Sequence, residues 1–304
     1  MFERSTVSVD IIMPFKDNPE HLLLIEEWID RVEIPKQFRI ILVHDISLKN
    51  ECESGVKKLK FKFELGKFII IQGMFGSPGA SRNAGLEHAV ADWIVFWDSD
   101  DVPNPGKFLD MILLGNEKGA KVCIGSFELE SFTKNGEVLR YLSSHPLYVA
   151  LSPGIWRMAF HSSLIKGVRF SSALLGEDQR FLFEINFLRG PVFYYNQAVY
   201  TYHKGIMNQL TANKKNLSDL VDTLSFCLNF VKETFAKRNI FIYSIMILRM
   251  VGTIIKHKTA REIRLVFILL LRVYFGSPKK LVFGLIPSLA IIPSLILMRL
   301  VLEK

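Results

Sequence analysis

The chain alternates short, unbroken apolar runs with stretches whose apolar residues recur every three or four positions. "VSVDIIMPF" (7–15), "FRIILVHD" (38–45), "KFIIIQG" (67–73) and "DWIVFWDSDD" (92–101) are β-branched or aromatic runs of strand length. Between the first two, "NPEHLLLIEEWIDRV" (18–32) predicts a helix: Pro19 sits at the first turn, acids come early, and Leu22, Ile25 and Ile29 share a face. "PGASRNAGLEHAV" (78–90) predicts another, entered through a Gly/Ser-rich loop. Strands that are apolar throughout, alternating with helices, call for a mostly parallel sheet covered on both faces.

Further on, "AKVCIGSFEL" (120–129) and "GEVLRYL" (136–142) read as strands joined by a turn at 133–136. "SPGIWRMAFHSSLI" (152–165) mixes a loop with an amphipathic segment. "GEDQRFLFEINFL" (176–188) predicts a helix with Glu177 and Asp178 in its first turn, and "PVFYYNQAVYTYHKG" (191–205) a tyrosine-rich strand pair. The pattern then turns helical: 216–239, 241–255, 263–275 and 281–298 are apolar at helical spacing. The expected division is an α/β domain over 1–212 and a helical appendage over 213–304.

Charge changes the picture only at the C-terminus. The chain of 304 residues has a formal net charge of +8, yet residues 231–304 hold 13 Lys and Arg against 3 Asp and Glu. Basic and apolar together, this quarter points to an anionic membrane surface rather than to nucleic acid. The 18 uncharged residues 281–298 approach a spanning length, but Pro287 and Pro293 interrupt them, and Arg249, Arg264 and Arg272 fit helices lying in the interface. Three scattered cysteines and no basic-then-apolar leader give the expectation of an N-terminal domain in a reducing cytosol, at the inner face of the membrane.

In open α/β sheets ligands bind beyond the carboxyl ends of the strands. Asp17, Asp45 and Asp98 each follow a strand there. Asp98-Ser99-Asp100 puts two carboxylates one residue apart in a turn, a pair suited to Mn2+ or Mg2+ and thereby to a diphosphate. A polar strand-end turn has the same composition, and a lone triplet does not decide between them.

The order and spacing of "VDIIMPFKDNPEHL", "IILVHDIS", "GSPGASRNAGLEHAVADWIVFWDSDDVPNPGKF", "WRMAF", "GEDQRF" and "YTYHKG" do more. Over about 200 residues they resemble an inverting family 2 glycosyltransferase with the Rossmann-like GT-A fold, of the bacterial surface-glycan type. The resemblance implies that Pro14 and Asp17 frame a nucleotide site and that Asp45 accepts from the base. It places Arg82 and Asn83 near the donor, Asp98 at the nucleoside or the metal's water shell, and Asp100 on the metal. It makes Asp178 the general base with Glu177 beside it. His203, whose neutral imidazole suits Mn2+, reads as a third ligand, a phosphate contact or a structural strand-end histidine. The implied donor is a UDP-sugar and the acceptor a glycan or lipid-linked hydroxyl; an oligomer is compatible with this. One departure stands out: the family's Asp-Asp-Gly-Ser-like turn is here "HDISLKN", with His44 for the first acid and Ile46 for the glycine.

Two other readings remain open on sequence. One is a membrane-tethered sugar-nucleotide-binding module without activity. The other is a haloacid-dehalogenase-like phosphatase, whose nucleophile also sits in an Asp-x-Asp.

Overall fold

A computed structural model describes residues 7–62, 67–133, 136–204, 217–233, 239–257 and Ile268. The first half repeats strand and helix: β1 (Val9–Lys16), α1 (Pro19–Arg31), β2 (Phe38–Asp45), α2 (Glu53–Lys62), β3 (Phe68–Gly73), α3 (Pro78–Glu87) and β4 (Trp93–Phe96). Then follow β5 (Val102–Pro103), α4 (Pro105–Glu117), β6 (Val122–Thr133), β7 (Gly136–Leu142), α5 (Pro146–Leu151), β8 (Met158–His161), α6 (Ser162–Ile165), α7 (Glu177–Glu184), β9 (Val192–Lys204), α8 (Leu217–Glu233) and α9 (Ile240–His257).

The sheet order is β3-β2-β1-β4-β8-β6-β9-β5, with β7 paired to β6. β3, β2, β1 and β4 are mutually parallel, as are β6 and β9; β8, β7 and β5 run antiparallel to their neighbours. Alternate β1 residues Val9, Ile11, Met13 and Phe15 enter one core with Leu22, Ile25 and Trp28 of α1 and Val56 and Leu59 of α2. On the opposite face α3 lies close: a Cβ on Gly85 would stand 2.5 Å from Ile12 Cγ2. Helices thus cover both faces, which is why β1 is apolar from Ile11 to Phe15 and β2 from Ile40 to Val43; the charged pair Asp10 and Arg39, one in each strand, is joined at 2.7 Å.

α1, α3 and α4 each begin at a side-chain cap followed by proline: Asn18, Ser77 and Asn104 accept from the N–H of Glu20, Ala80 and Lys107. α2 is absent from the sequence expectations, because among its described side chains, 53–60, only Val56 and Leu59 are buried, between lysines. Two expectations are corrected. The fourth strand stops at Phe96, so the acidic residues lie wholly in the turn beyond it. The tyrosine-rich pair over 191–205 is the single strand β9: Asn196 and Gln197 bulge outward where its register against β6 slips between Gly125 and Phe127.

The chain divides into two compact units. One contains the whole sheet with α1–α4 and α6; the other gathers 145–153 and 173–189 with α8 and α9. In the second, Phe183 of α7 packs against Phe230 of α8 and Tyr243 of α9, and the Tyr243 hydroxyl donates to Asn186 Oδ1 at 2.9 Å. Among the described residues no helix is long and apolar enough to cross a membrane. The stretches 263–275 and 281–298 lie outside the described residues, Ile268 excepted.

Candidate active site

β1, β2 and β4 deliver Asp17, Asp45 and Asp98 to the carboxyl edge of the parallel sheet. Pro14 stands beyond the last β1–β4 pair, Ile12 with Phe96, where the sheet can spare its missing N–H. Asp17 has a fully buried side chain. Its Oδ1 faces His44 Nε2 at 3.2 Å and accepts from the Cys52 N–H at 2.9 Å. Its Oδ2 accepts from the Ser47 N–H at 3.3 Å, the Ser47 hydroxyl, and the Glu51 N–H at 3.0 Å. Burial alone would raise the Asp17 pKa, but the Ser47 hydroxyl and the Cys52 and Glu51 N–H groups outweigh it and hold it well below the usual carboxylate range.

His44 is buried and stacks on Phe15 at 4.5 Å, with Gln72 Nε2 at 3.2 Å from its Nδ1. An amide that donates to Nδ1 leaves Nε2 as the donor to Asp17. The histidine in place of the family's acid is therefore a strut: Gln72, His44 and Asp17 together tie the 46–52 loop to the sheet. Asp17, His44 and Cys52 form the one trio among the described residues whose ligand atoms lie within 4.8 Å of one another. It reads as a hydrogen-bonded knot rather than a metal centre. Both Asp17 oxygens already accept from protein donors, and burial together with the Asp17 contact pushes the Cys52 thiol up to about 12, away from the thiolate a metal needs.

Asp45 organises the next loop. Its Oδ1 accepts from the Phe75 N–H at 2.6 Å and both oxygens accept from the Gly76 N–H, at 3.0 and 3.1 Å. Gly76 has φ +74°, the left-handed conformation that favours glycine.

The acid turn has its own anchors. Arg82 of α3, 4% exposed, donates from Nη2 to Asp98 Oδ1 at 2.9 Å; Asp98 is 28% exposed. The Asp98 N–H donates to the Tyr200 hydroxyl at 3.0 Å. Asp101 is buried and accepts from the His203 N–H at 2.8 Å. Burial, then the neighbouring Asp100 and Asp98 charges, raise its pKa well above the usual range. His203 Nδ1 lies 2.9 Å from the Asp100 carbonyl and Nε2 lies 2.8 Å from Glu130. Trp156 stacks between Tyr200 at 4.7 Å and Tyr202 at 5.1 Å, a packed aromatic block under the turn.

Asn83, one residue after Arg82, clasps backbone: its Oδ1 accepts from the Phe170 N–H at 2.8 Å and its Nδ2 donates to the Phe170 carbonyl at 2.9 Å. Arg82 lies 5.4 Å over the Phe170 ring. The adjacent arginine and asparagine thus join α3 to the acid turn and to segment 170–171.

In the helical unit, Glu177 and Asp178 open α7 behind Gly176. Gly176 has φ +90°, and a Cβ there would stand 3.1 Å from Leu220 and 3.2 Å from Thr223 of α8. Both the backbone turn and the close approach of α8 require glycine immediately before the two acids. Leu174 N–H, just upstream, donates to Asp219 Oδ2 at 2.7 Å.

Sequence reasoning assigns no role to Ser47, Asp101, Glu130 or Tyr200. Asp101 was visible as the third carboxylate of "DSDD"; for the others only strand pairing and loop closure reveal the part they play.

A family model described as "Glycosyl transferase family 2" matches residues 10–172. The chain is 26% identical over 235 residues to the poly(ribitol-phosphate) beta-N-acetylglucosaminyltransferase TarP of Staphylococcus aureus, covering 71% of this chain and 70% of that one. It is 24% identical over 169 residues to the GalNAc(5)-diNAcBac-PP-undecaprenol beta-1,3-glucosyltransferase of Campylobacter jejuni, 53% of this chain and 54% of that one. Among solved structures, residues 1–349 of S. aureus TarS in complex with UDP-GlcNAc superpose with a TM-score of 0.69 at 16% identity, covering 91% of this chain and 84% of that one. The fold is GT-A.

Proposed function

The chain belongs to glycosyl transferase family 2, and from that premise we propose that it transfers a sugar, with inversion, from a UDP-sugar to a hydroxyl of a surface-polysaccharide or lipid-linked glycan precursor. The observation that carries this reading is the crowding of Asp98, Asp100 and Asp101 in one turn at the carboxyl edge of the parallel sheet. Mutual repulsion in that turn leaves a negative field that a cation would offset. Oxygen donors of this kind fit Mn2+ or Mg2+. Asp98 and Asp100 are the residues that would hold the ion. His203 could join them only by giving up one of its two present acceptors, Asp100 O or Glu130. Such an ion, when bound, neutralises charge that develops on a departing diphosphate.

The residues of the chain do the rest. Asp45 and the loops it and Asp17 hold bind the nucleoside, and Arg82 fixes Asp98. The acceptor hydroxyl attacks the anomeric carbon on the face opposite the diphosphate. The C–O bond to the diphosphate breaks, a new glycosidic C–O bond forms, and the hydroxyl proton passes to Asp178. One displacement inverts the centre. A positioned carboxylate base is worth about 10²–10⁴-fold in rate. Glu177 lies beside Asp178 in the same helical turn. The acceptor class follows the acceptors in the names of TarP and of the Campylobacter relative, a poly(ribitol-phosphate) and a PP-undecaprenol-linked glycan. Family membership leaves the phosphatase reading without support.

The test is UDP release from a panel of UDP-sugars, with and without Mn2+, in wild type, Asp100→Ala and Asp178→Asn. The expected outcome is Mn2+-dependent release, lost in Asp100→Ala. Asp178→Asn should bind UDP normally while turnover falls at least 100-fold. Binding without turnover in the wild type, with every acceptor class supplied, would instead identify a non-catalytic binding module.

A further inference from the structure

We infer that Glu130 is a positioning residue for the cation-binding turn, acting through His203. β6 and β9 run parallel with Glu130 paired to His203. The His203 imidazole bridges two acceptors: Nε2 lies 2.8 Å from Glu130 Oε2 and Nδ1 lies 2.9 Å from the Asp100 carbonyl. A carbonyl oxygen can only accept, so Nδ1 carries a hydrogen and its bond fixes the backbone at Asp100. The same residue donates its backbone N–H to Asp101 at 2.8 Å. His203 therefore holds both carboxylate-bearing residues that follow Ser99, and Glu130 decides which way its ring faces. Its side chain and that of His203 are 19% and 15% exposed, so the pair is shielded but reachable from the turn. Should His203 exchange the Asp100 carbonyl for a cation, Glu130 would still face Nε2 and orient the ring, the carboxylate–histidine arrangement common behind metal ligands. In the first arrangement the effect of Glu130 reaches the cation through the Asp100 backbone, and in the second through the His203 ring.

The inference rests on the cation reading of the acid turn, and the experiment separates the two. Mn2+ binding to the full chain is followed by the EPR signal of free Mn2+, with UDP present, for wild type, Glu130→Gln and Glu130→Ala. UDP affinity without metal and thermal melting are measured beside it. The expected result is a Mn2+ affinity about 10–100-fold weaker in Glu130→Ala. Glu130→Gln, which keeps an acceptor oxygen and the side-chain size, shows a smaller loss, and metal-free UDP affinity stays unchanged in both. A role confined to strand pairing would lower the melting temperature and leave Mn2+ affinity within twofold of wild type, which overturns the inference alone. Absence of Mn2+ binding by the wild type overturns the cation reading and this inference with it.

Discussion

Replacing Asp17 separates two ways in which an acid at the edge of the sheet can serve a nucleotide site. Its carboxylate accepts from His44, Cys52, Glu51 and twice from Ser47 with a fully buried side chain. In Asp17→Ala the Glu51 and Ser47 N–H groups can turn to water, since their loop borders solvent. The Cys52 N–H, the His44 ring and the Ser47 hydroxyl stay behind without an acceptor. At about 1–1.5 kcal/mol for each stranded donor, Asp17→Ala loses about 4 kcal/mol. Asp17→Asn keeps one accepting oxygen and loses about 2 kcal/mol. At about 2–4 °C per kcal/mol, the alanine variant melts about 8–16 °C lower. The pH dependence has a definite sign. The folded pKa of Asp17 is depressed, so its stabilisation is whole above the ordinary value of 3.8 and is lost as pH falls through the lower folded value. The stability gap between wild type and Asp17→Asn therefore closes on acidification from about pH 4 downward. Urea denaturation from pH 7 to pH 3, alongside the donor KM, reads both. An Asp17→Asn protein with unchanged stability and a raised KM would mean that the carboxylate meets the donor directly and does not hold the 46–52 loop.

Two further outcomes follow. Burial raises the thiol pKa of Cys52 to about 12 and those of Cys123 and Cys227 further still, so the folded protein at pH 8 should leave Ellman's reagent unreacted and release three thiols only on unfolding; a fast-reacting thiol in the native state would contradict this burial. The basic, apolar residues of the C-terminal quarter predict that the full chain co-sediments with phosphatidylglycerol vesicles at low salt and less so at high salt; no co-sedimentation at low salt refutes attachment.

The parallel half of the sheet was legible because burial on both faces writes itself into sequence as unbroken apolar runs. β1, β2 and β3 lie within two residues of their expected limits, and α1 starts at Pro19 as expected; α4, although it opens on Asn104 and Pro105, is absent from the sequence expectations. The tyrosine-rich region misled for a local reason. Asn196-Gln197 carries the composition of a turn, yet the long-range pairing of β9 with β6 absorbs both residues as a bulge. Such pairing is a property of two segments some 70 positions apart (Glu130 faces His203), and no window along one of them contains it. α2 escaped because a lysine-rich helix with two buried residues carries almost no periodic signal.

The acidic edge shows the same division between what a chain spells and what folding decides. Asp17, Asp45, Asp98, Asp100 and Asp101 are chemically near-identical, and all follow a strand or share one turn. What distinguishes them is the supply of protein donors around each. Asp17 is ringed by them, and its charge belongs to the 46–52 loop. Asp45 holds the Phe75 and Gly76 N–H groups, so it shapes a loop while staying at the strand end where a base would lie. Asp101 is buried on the His203 N–H and serves the turn's backbone. Asp98 keeps partial exposure and pairs with one guanidinium, that of Arg82. A carboxylate whose charge is already met inside the protein stabilises the fold. One whose charge is only partly met is the candidate to meet a cation; the proposed function gives that part to Asp98 and Asp100, in the turn that Arg82, Tyr200 and His203 anchor.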